Sequence, residues 1–223
     1  MNGKIIVIEG SDASGKTTQC ELLMKKLGEQ GYKTAYFHFP DYSTPTGKKV
    51  AAYLRGEIGK INEIDTYKTA KLYADDRFAA RKKIIDFLNQ GVIVVIDRYV
   101  LSSKAYHAAK IDDEVEKEKI IYWIDELEYG ENKLPKEHLL IYLDTPLSIA
   151  LEWHKKKGSR EYLKGKEDIH ESNTEYLRKV EREYLKIVDS NDDYIKIECV
   201  IDGKPLSKEE IHDKIWRAFK EVI

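Results

Sequence analysis

Short apolar runs alternate with stretches of helical periodicity along this chain. The apolar runs predict five strands, at Ile5–Glu9, Thr34–Phe39, Val92–Asp97, Leu139–Asp144 and Tyr194–Cys199. Apolar residues between them recur at helical spacing and predict helices at 16–30, 46–55, 65–90, 102–129 with a break near 111, 146–156, 171–190 and 208–222. Strands that alternate with helices favour a parallel sheet covered on both faces. The predicted fold class is therefore α/β, with a five-stranded parallel sheet and helices on both faces.

Polar residues stand at the ends of the first three predicted strands. They are Glu9-Gly10, Phe39-Pro40 and Asp97-Arg98. Ligands of open α/β sheets bind beyond the carboxyl ends of the strands. We therefore expect these residues to lie together around one binding site.

The turn between the first strand and the first helix carries a phosphate-binding pattern. Gly10-Ser11-Asp12-Ala13-Ser14-Gly15-Lys16-Thr17 fits G-x-x-x-x-G-K-S/T, whose backbone N–H groups and helix start point at an anion. The same spacing also occurs in an ordinary glycine turn, but the strand before it and the helix after it favour the phosphate site. Asp12 is unexpected there, because a carboxylate repels phosphate. The candidate nucleotide-binding residues are Gly10, Ser11, Asp12, Ala13, Ser14, Gly15, Lys16, Thr17 and Thr18.

Asp97 and Arg98 follow a buried strand and are expected beside this loop. An acidic residue in that place commonly helps to hold magnesium, and a guanidinium suits the bridging of phosphates. The alternative is a purely structural Asp–Arg pair.

A second group of residues suits a nucleobase. Tyr73 and Arg77 are four apart on a predicted helix and so share one face, and Ser103 and Tyr106 have similar spacing. An aromatic ring can stack on a base and a guanidinium can donate to it. The alternative is a half-buried helix surface.

A basic, glycine-punctuated segment at about 155–168 lies between two predicted helices. It contains Arg160, Lys164 and Lys166. Most such segments are solvated loops, but the variable positions of the phosphate loop contain no base, so phosphoryl transfer would need positive charge from elsewhere. We therefore predict a lid that closes over polyphosphate. His170, just after it, is expected to be a contact residue rather than a metal ligand.

Composition limits the remaining possibilities. The 223 residues carry 35% charged residues and a net charge of −2, which favours one large domain over residues 1–223 and no general nucleic-acid partner. Two cysteines are too few for a disulfide framework, and the chain shows neither a signal peptide nor an apolar run long enough for a membrane span. A cytoplasmic location is expected. The acidic run 112–118 is interpreted as a solvated helix face.

In their order and spacing, these motifs resemble the thymidylate kinases, which are P-loop nucleoside monophosphate kinases, nearly end to end. The residues that carry the resemblance are Glu9-Gly10, Asp12, Gly15-Lys16-Thr17-Thr18-Gln19, Phe39-Pro40-Asp41-Tyr42-Ser43-Thr44, Gly47, Asp76-Arg77, Asp97-Arg98-Tyr99, Leu134-Pro135-Lys136, Asp168 and Glu171. The resemblance implies a single P-loop kinase domain with a lid. It also implies transfer of the γ-phosphoryl group of MgATP to dTMP, giving dTDP and ADP for dTTP synthesis, and a homodimer formed through helices like 46–55 and 65–90.

The resemblance also implies roles for particular residues. The catalytic group would be Lys16, Arg98, Arg160 and Asp97. The dTMP-binding group would be Asp12, Phe39, Tyr42, Tyr73, Arg77, Arg98, Ser102, Ser103, Tyr106 and His170. The magnesium group would be Thr17, Asp12, Asp97 and Glu171. Asp12 would hold the sugar 3′-hydroxyl and help to organise the metal, which gives its carboxylate a reason to be in the loop.

Two other functions stay open at this point. One is a nucleotide or nucleoside kinase with another base specificity, although adenylate-type kinases usually end the loop in Gly-Lys-Gly and this chain has Thr17 there. The other is an ATP-dependent switch protein, which would not need a second pocket lined by Tyr73, Arg77 and Tyr106.

Overall fold

A parallel sheet of five strands organises the fold. The structure is a computed structural model that describes residues 3–59, 63–155, 163, 168–170 and 173–222. The strands run in the spatial order β2-β3-β1-β4-β5 and all neighbouring pairs are parallel. Their bounds are β1 Lys4–Gly10, β2 Thr34–His38, β3 Ile93–Asp97, β4 Leu139–Asp144 and β5 Tyr194–Glu198. The predicted fold class is confirmed, and every predicted strand end is within one residue of the observed end.

Helices follow the strands as predicted, with one region resolved into three parts. The helices are α1 Lys16–Glu29, α2 Pro45–Leu54, α3 Thr66–Asn89, α4 Val100–Ala108, α5 Glu114–Asp125, α6 Leu147–Lys155, α7 Thr174–Asp189 and α8 Lys208–Val222. The predicted helix 102–129 is α4, then α5, then a π-helical turn at Glu126–Glu131. The predicted break near 111 is confirmed, because the Asp113 side chain accepts from the N–H of Glu116 and begins a new helix.

A small hairpin after β5 was not predicted. Strands β6 Val200–Ile201 and β7 Lys204–Pro205 pair antiparallel. Asp202 and Gly203 form the turn between them, both with positive φ, at 50° and 73°. Two residues per strand give too short a pattern for periodicity to detect, although Asp-Gly is itself a hairpin signal.

The sheet separates two apolar layers. Successive residues of β1 point to opposite sides, so that Ile5 belongs to one layer and Ile6 to the other. Helices α3, α4, α5 and α7 cover the first face, and α1 and α8 cover the second. None of the described helices is long and apolar enough to cross a membrane.

Ion pairs join the helices of the first layer. Lys104 on α4 pairs with Asp125 at the end of α5, with 2.6 Å between Nζ and Oδ1. The acidic run interpreted as a solvated face is exposed but also paired, since Asp112 accepts from Lys179 and Glu114 from Lys186 on α7. Exposed pairs of this kind contribute little to stability.

Candidate active site

The phosphate loop closes tightly at the end of β1. A Cβ on Gly10 would lie 2.6 Å from Ser14 Oγ and 3.0 Å from Leu143 O, so only glycine fits there. The hydroxyls of Ser11 and Ser14 are buried and have no hydrogen-bond partner within the described ranges. Lys16 Nζ donates to Ser11 O at 2.6 Å, and burial lowers the pKa of Lys16 to about 8. A bound phosphate would place negative charge beside this lysine and favour its charged form.

Thr17 and Asp97 come together beside the loop. Thr17 Oγ1, at the start of α1, donates to Asp97 Oδ2, at the end of β3, at 2.7 Å. A hydroxyl and a carboxylate next to a phosphate site are the oxygen ligands that Mg²⁺ uses in P-loop proteins. Across the described part of the chain, no three His, Cys, Asp or Glu side chains cluster into a metal site. Mg²⁺ is usually bound by one or two protein ligands together with phosphates and water.

The Asp12 carboxylate accepts hydrogen bonds from two side chains outside the loop. Its Oδ1 accepts from Arg98 Nη2 at 2.8 Å, and its Oδ2 accepts from Tyr106 OH at 2.6 Å. Arg98 pairs with Asp12, and Asp97 accepts from Thr17. The structure therefore does not have the structural Asp97–Arg98 pair that was considered as the alternative. The unexpected carboxylate is therefore balanced by a guanidinium.

Glu9 fixes the start of α4, a role that the sequence did not reveal. It is fully buried, and its carboxylate accepts from Tyr99 N at 2.7 Å, Ser102 N at 3.1 Å and Ser102 Oγ at 2.6 Å. Tyr184 on α7 donates to the same carboxylate at 3.2 Å. The first turn of α4, which carries Ser102, is thus anchored to the end of β1.

One cavity collects every residue that was predicted to bind dTMP. Its lining includes Asp12, Phe39, Tyr42, Tyr73, Arg77, Arg98, Ser102, Ser103, Tyr106 and His170. A second cavity lies over the phosphate loop and is lined by Lys16, Thr17 and Asp97 among others. The two cavities share Asp12, Phe39, Pro40, Tyr42 and Arg98. The structure brings these residues together, and their individual roles stay predictions.

Arg77 is held in the first cavity from several sides. Its Nε donates to Glu128 of the π-helical turn at 2.8 Å, and its Nη2 contacts Glu128 and also donates to Ser103 Oγ at 2.6 Å. Its Nη1 donates to Tyr99 O at 3.3 Å. The hydroxyl of Ser103, a member of the predicted dTMP-binding group, thus accepts a hydrogen bond from Arg77.

The loop after β2 is held by Asp76. The carboxylate accepts from Asp41 N at 2.8 Å, Thr44 Oγ1 at 2.9 Å and Thr46 Oγ1 at 2.8 Å. A Cβ on Gly47 would lie 1.8 Å from Asp41 O, which explains the glycine there. This loop also contains a cis Phe39–Pro40 peptide bond and carries Tyr42 into both cavities.

His170 is part of a buried polar chain that sequence reasoning missed. Its Nε2 lies 2.8 Å from Tyr53 OH, and Lys110 Nζ donates to the same hydroxyl at 2.7 Å. Its ring stacks on Tyr106, with 5.6 Å between centroids. Burial lowers the pKa of His170 well below its ordinary value and that of Lys110 to about 7. No local pattern links these positions, so only the tertiary structure reveals the chain.

The predicted lid residues Arg160, Lys164 and Lys166, and the predicted metal ligand Glu171, lie outside the described residues. Their roles stay predictions.

A parallel sheet, a phosphate loop after its first strand and a second cavity against that loop define a P-loop protein with the fold of nucleoside monophosphate kinases. Residues 8–215 match the family model described as "Thymidylate kinase". The chain therefore belongs to the thymidylate kinase family.

Individual relatives agree with this family. The "Thymidylate kinase" of Schizosaccharomyces pombe is 36% identical over 66% of this chain, and that of Homo sapiens is 31% identical over 66%. Those alignments span 64% of each relative's own length. A "Probable thymidylate kinase" of Staphylothermus marinus is 34% identical over 88% of this chain and 91% of its own length. A solved thymidylate kinase structure from Candida albicans superposes with a TM-score of 0.73 at 28% identity, covering 98% of this chain and 92% of that one.

Proposed function

We propose that this protein is a dTMP kinase, which transfers the γ-phosphoryl group of ATP to dTMP and releases dTDP and ADP. The observation that carries the proposal is the wall shared by the two cavities. A phosphate loop on one side and an aromatic, arginine-containing cavity on the other can hold a donor and an acceptor with their phosphates facing each other.

The chemistry asks for positioning and charge neutralisation. The attacking oxygen belongs to a phosphate that is already ionised, so no general base is required. Holding donor and acceptor in line lowers the barrier by removing orientational freedom, and fixed cations stabilise the charge that spreads over the transferred group. Arg98 lies in the shared wall and would contact both phosphates, and Lys16, which lines the cavity over the loop, would contact the donor phosphates. Arg160 of the predicted lid would add to this charge.

Thr17 and Asp97 would hold Mg²⁺ or its bound waters, and the predicted metal group also includes Asp12 and Glu171. When bound, the metal would neutralise part of the charge on the donor phosphates. The 2.7 Å contact between Thr17 Oγ1 and Asp97 Oδ2 supports this assignment, and both residues line the cavity over the phosphate loop.

A coupled assay that follows ADP release tests the function. We expect turnover with ATP and dTMP, and less with dUMP, UMP, dGMP or thymidine. Lys16→Met should abolish most turnover, because it removes a donor-phosphate cation. A preference for another acceptor would reassign the base specificity. If none of these acceptors is turned over by a protein that still binds ATP, the switch protein would be favoured over the kinase.

Two further properties belong to the same proposal. A homodimer through α2 and α3 is supported by Phe78, which leaves 49% of its surface exposed on α3. Sedimentation velocity should show a dimer, and Phe78→Glu should shift it to a monomer.

A cytoplasmic location is supported by two buried free cysteines, Cys20 and Cys199.

A further inference from the structure

His107 lines the proposed acceptor cavity, and no motif singled it out. It lies in the last turn of α4 with 1% of its surface exposed. Tyr73, the residue predicted to stack on the base, meets its ring edge to face with 5.5 Å between centroids. Buried polar groups are generally hydrogen-bonded, so the partners of this imidazole must come from the protein or from a ligand.

Within the described part of the chain, one nitrogen of this imidazole has a hydrogen-bond partner and the other has none. Nδ1 lies 2.7 Å from the carbonyl oxygen of Ser103, one turn earlier. A carbonyl oxygen only accepts, so Nδ1 must carry the proton and donate it. Nε2 is then a bare acceptor. It is buried, and it has no hydrogen-bond partner among the residues that the structure describes.

The imidazole stays neutral in this environment. Burial lowers the pKa of His107 well below its ordinary value, and the nearby Lys110 charge lowers it further. Near neutral pH, Nε2 therefore offers a lone pair and not a second N–H.

Arg77 provides the complementary group in the same cavity. Ser103 binds both residues, since its hydroxyl accepts from Arg77 and its carbonyl accepts from His107. Four of the five guanidinium N–H groups have partners in the described residues, which leaves one on Nη1. The cavity thus contains a hydrogen-bond donor on Arg77 and an acceptor on His107, and Ser103 of α4 binds both residues.

We propose that Nε2 of His107 accepts a hydrogen bond from a ring N–H of the acceptor base and so selects bases that carry one. Thymine and uracil have a ring N–H beside a carbonyl group. The ring N–H can donate to Nε2 of His107, and the carbonyl oxygen can accept from Arg77. Cytosine presents a bare ring nitrogen beside an amino group and mismatches both. The inference rests on the proposed kinase function and adds a specificity-determining residue to it.

Steady-state kinetics with dTMP, dUMP and dCMP test the selection. In His107→Leu, we expect kcat/KM for dTMP to fall about 10- to 100-fold and the preference for dTMP over dCMP to shrink by a similar factor, because the ring N–H loses its acceptor. His107→Gln, which keeps an acceptor oxygen, should retain more of the preference. His212→Leu is the matched control, since His212 on α8 also has a buried nitrogen with no partner among the described residues but does not line the cavity.

A methylated substrate tests the same contact from the ligand side. N3-methyl-dTMP lacks the N–H, so wild type should bind it at least 10-fold more weakly than dTMP in calorimetry, whereas His107→Leu should distinguish the two much less. Additive effects of the methyl group and the substitution would overturn the proposal.

A measurement on the wild-type protein covers the case in which the variants do not fold. In ¹⁵N-histidine NMR, dTMP binding should move the Nε2 resonance of His107 from that of a free lone pair to that of a hydrogen-bonded nitrogen. An unmoved resonance with dTMP bound, or an unchanged dTMP preference in folded His107→Leu, overturns the inference and leaves the kinase function intact. Binding of no nucleoside monophosphate at all overturns both.

Discussion

Arg98 connects the two cavities and adopts an unusual backbone conformation to do so. Its φ is 65°, in the left-handed region that costs a non-glycine residue about 1–2 kcal/mol. The N–H of Arg98 donates to Ile8 O at 3.1 Å, and its side chain is fixed by Asp12 and by Ser102 Oγ at 3.1 Å. Strain kept in place by this many contacts, at the meeting point of two cavities, supports a functional role for this guanidinium.

Replacing Arg98 with alanine should therefore lower catalysis far more than stability. We expect kcat to fall about 100- to 1,000-fold, as it does when one preorganised donor is removed from a transition state. Arg98→Lys should recover only part of the activity, since an ammonium cannot make the planar two-sided contact. The measurement is steady-state turnover of ATP and dTMP together with a thermal melt. Arg178→Ala on the exposed face of α7 is the control, and an unchanged turnover number in Arg98→Ala would remove this role.

At the scale of the elements, two buried carboxylates hold the site together. Glu9 anchors α4 to β1, and Glu128 anchors the π-helical turn to α3 through Arg77. Both carboxylates are fully buried. A buried charge is tolerated only when it is hydrogen-bonded, so removing either group leaves donors or a cation unpaired in the interior.

Glu9→Gln should destabilise the protein by about 1–3 kcal/mol, because the amide loses an acceptor oxygen and brings N–H donors towards Tyr184 and Ser102. Urea unfolding at equilibrium measures the change. Glu221→Gln, at an exposed position of α8, is the matched control and should change the free energy of unfolding by less than about 0.5 kcal/mol. Equal stabilities of the two variants would contradict the anchoring role.

Glu128→Ala should cost about 3–5 kcal/mol, since it leaves the Arg77 guanidinium buried without its ion partner. The double variant Arg77→Met/Glu128→Leu should recover much of this stability while losing dTMP binding. Urea titrations of the single and the double variant measure the two free energies of unfolding to be compared. If the double variant were less stable than Glu128→Ala, the unpaired charge would not be the cause of the loss.

At the scale of the whole molecule, the half-buried Lys110 links stability to pH. Lys110 has its pKa lowered to about 7 by burial, from 10.5 in an exposed lysine. Between these two values the unfolded chain binds one more proton at this residue than the folded chain does. The free energy of unfolding therefore rises with pH across that window, and the penalty is greatest below pH 7.

Lys110→Met should flatten this dependence. The slope of the free energy of unfolding between pH 8 and pH 10 should be smaller than in wild type by up to about 1 kcal/mol per pH unit, with partial exposure of the ammonium reducing the effect. Urea titrations at several pH values measure both slopes. Parallel curves for wild type and variant would mean that Lys110 titrates normally. Lys204→Met, on the exposed hairpin, is the control.

Several features of this protein were available from its sequence alone. The strands could be predicted because each is a short run of apolar residues, and such a run is a local signal of a buried strand. The phosphate loop was found because its chemistry requires glycines, a lysine and a hydroxyl at fixed spacing. All ten predicted dTMP-binding residues line one cavity, since parallel strands bring their carboxyl ends to one edge.

Only the tertiary structure decided which partner each of these residues takes. Asp12 meets Arg98 across 86 positions of the chain, and Arg77 meets Glu128 across 51. Strand register and helix packing set these pairings, and no local pattern encodes them. Nε2 of His107 is the clearest case, because its lack of a partner among the described residues depends on all the side chains packed around it. The sequence thus determined the fold and the location of the site, and the packing determined which atoms remain for a ligand.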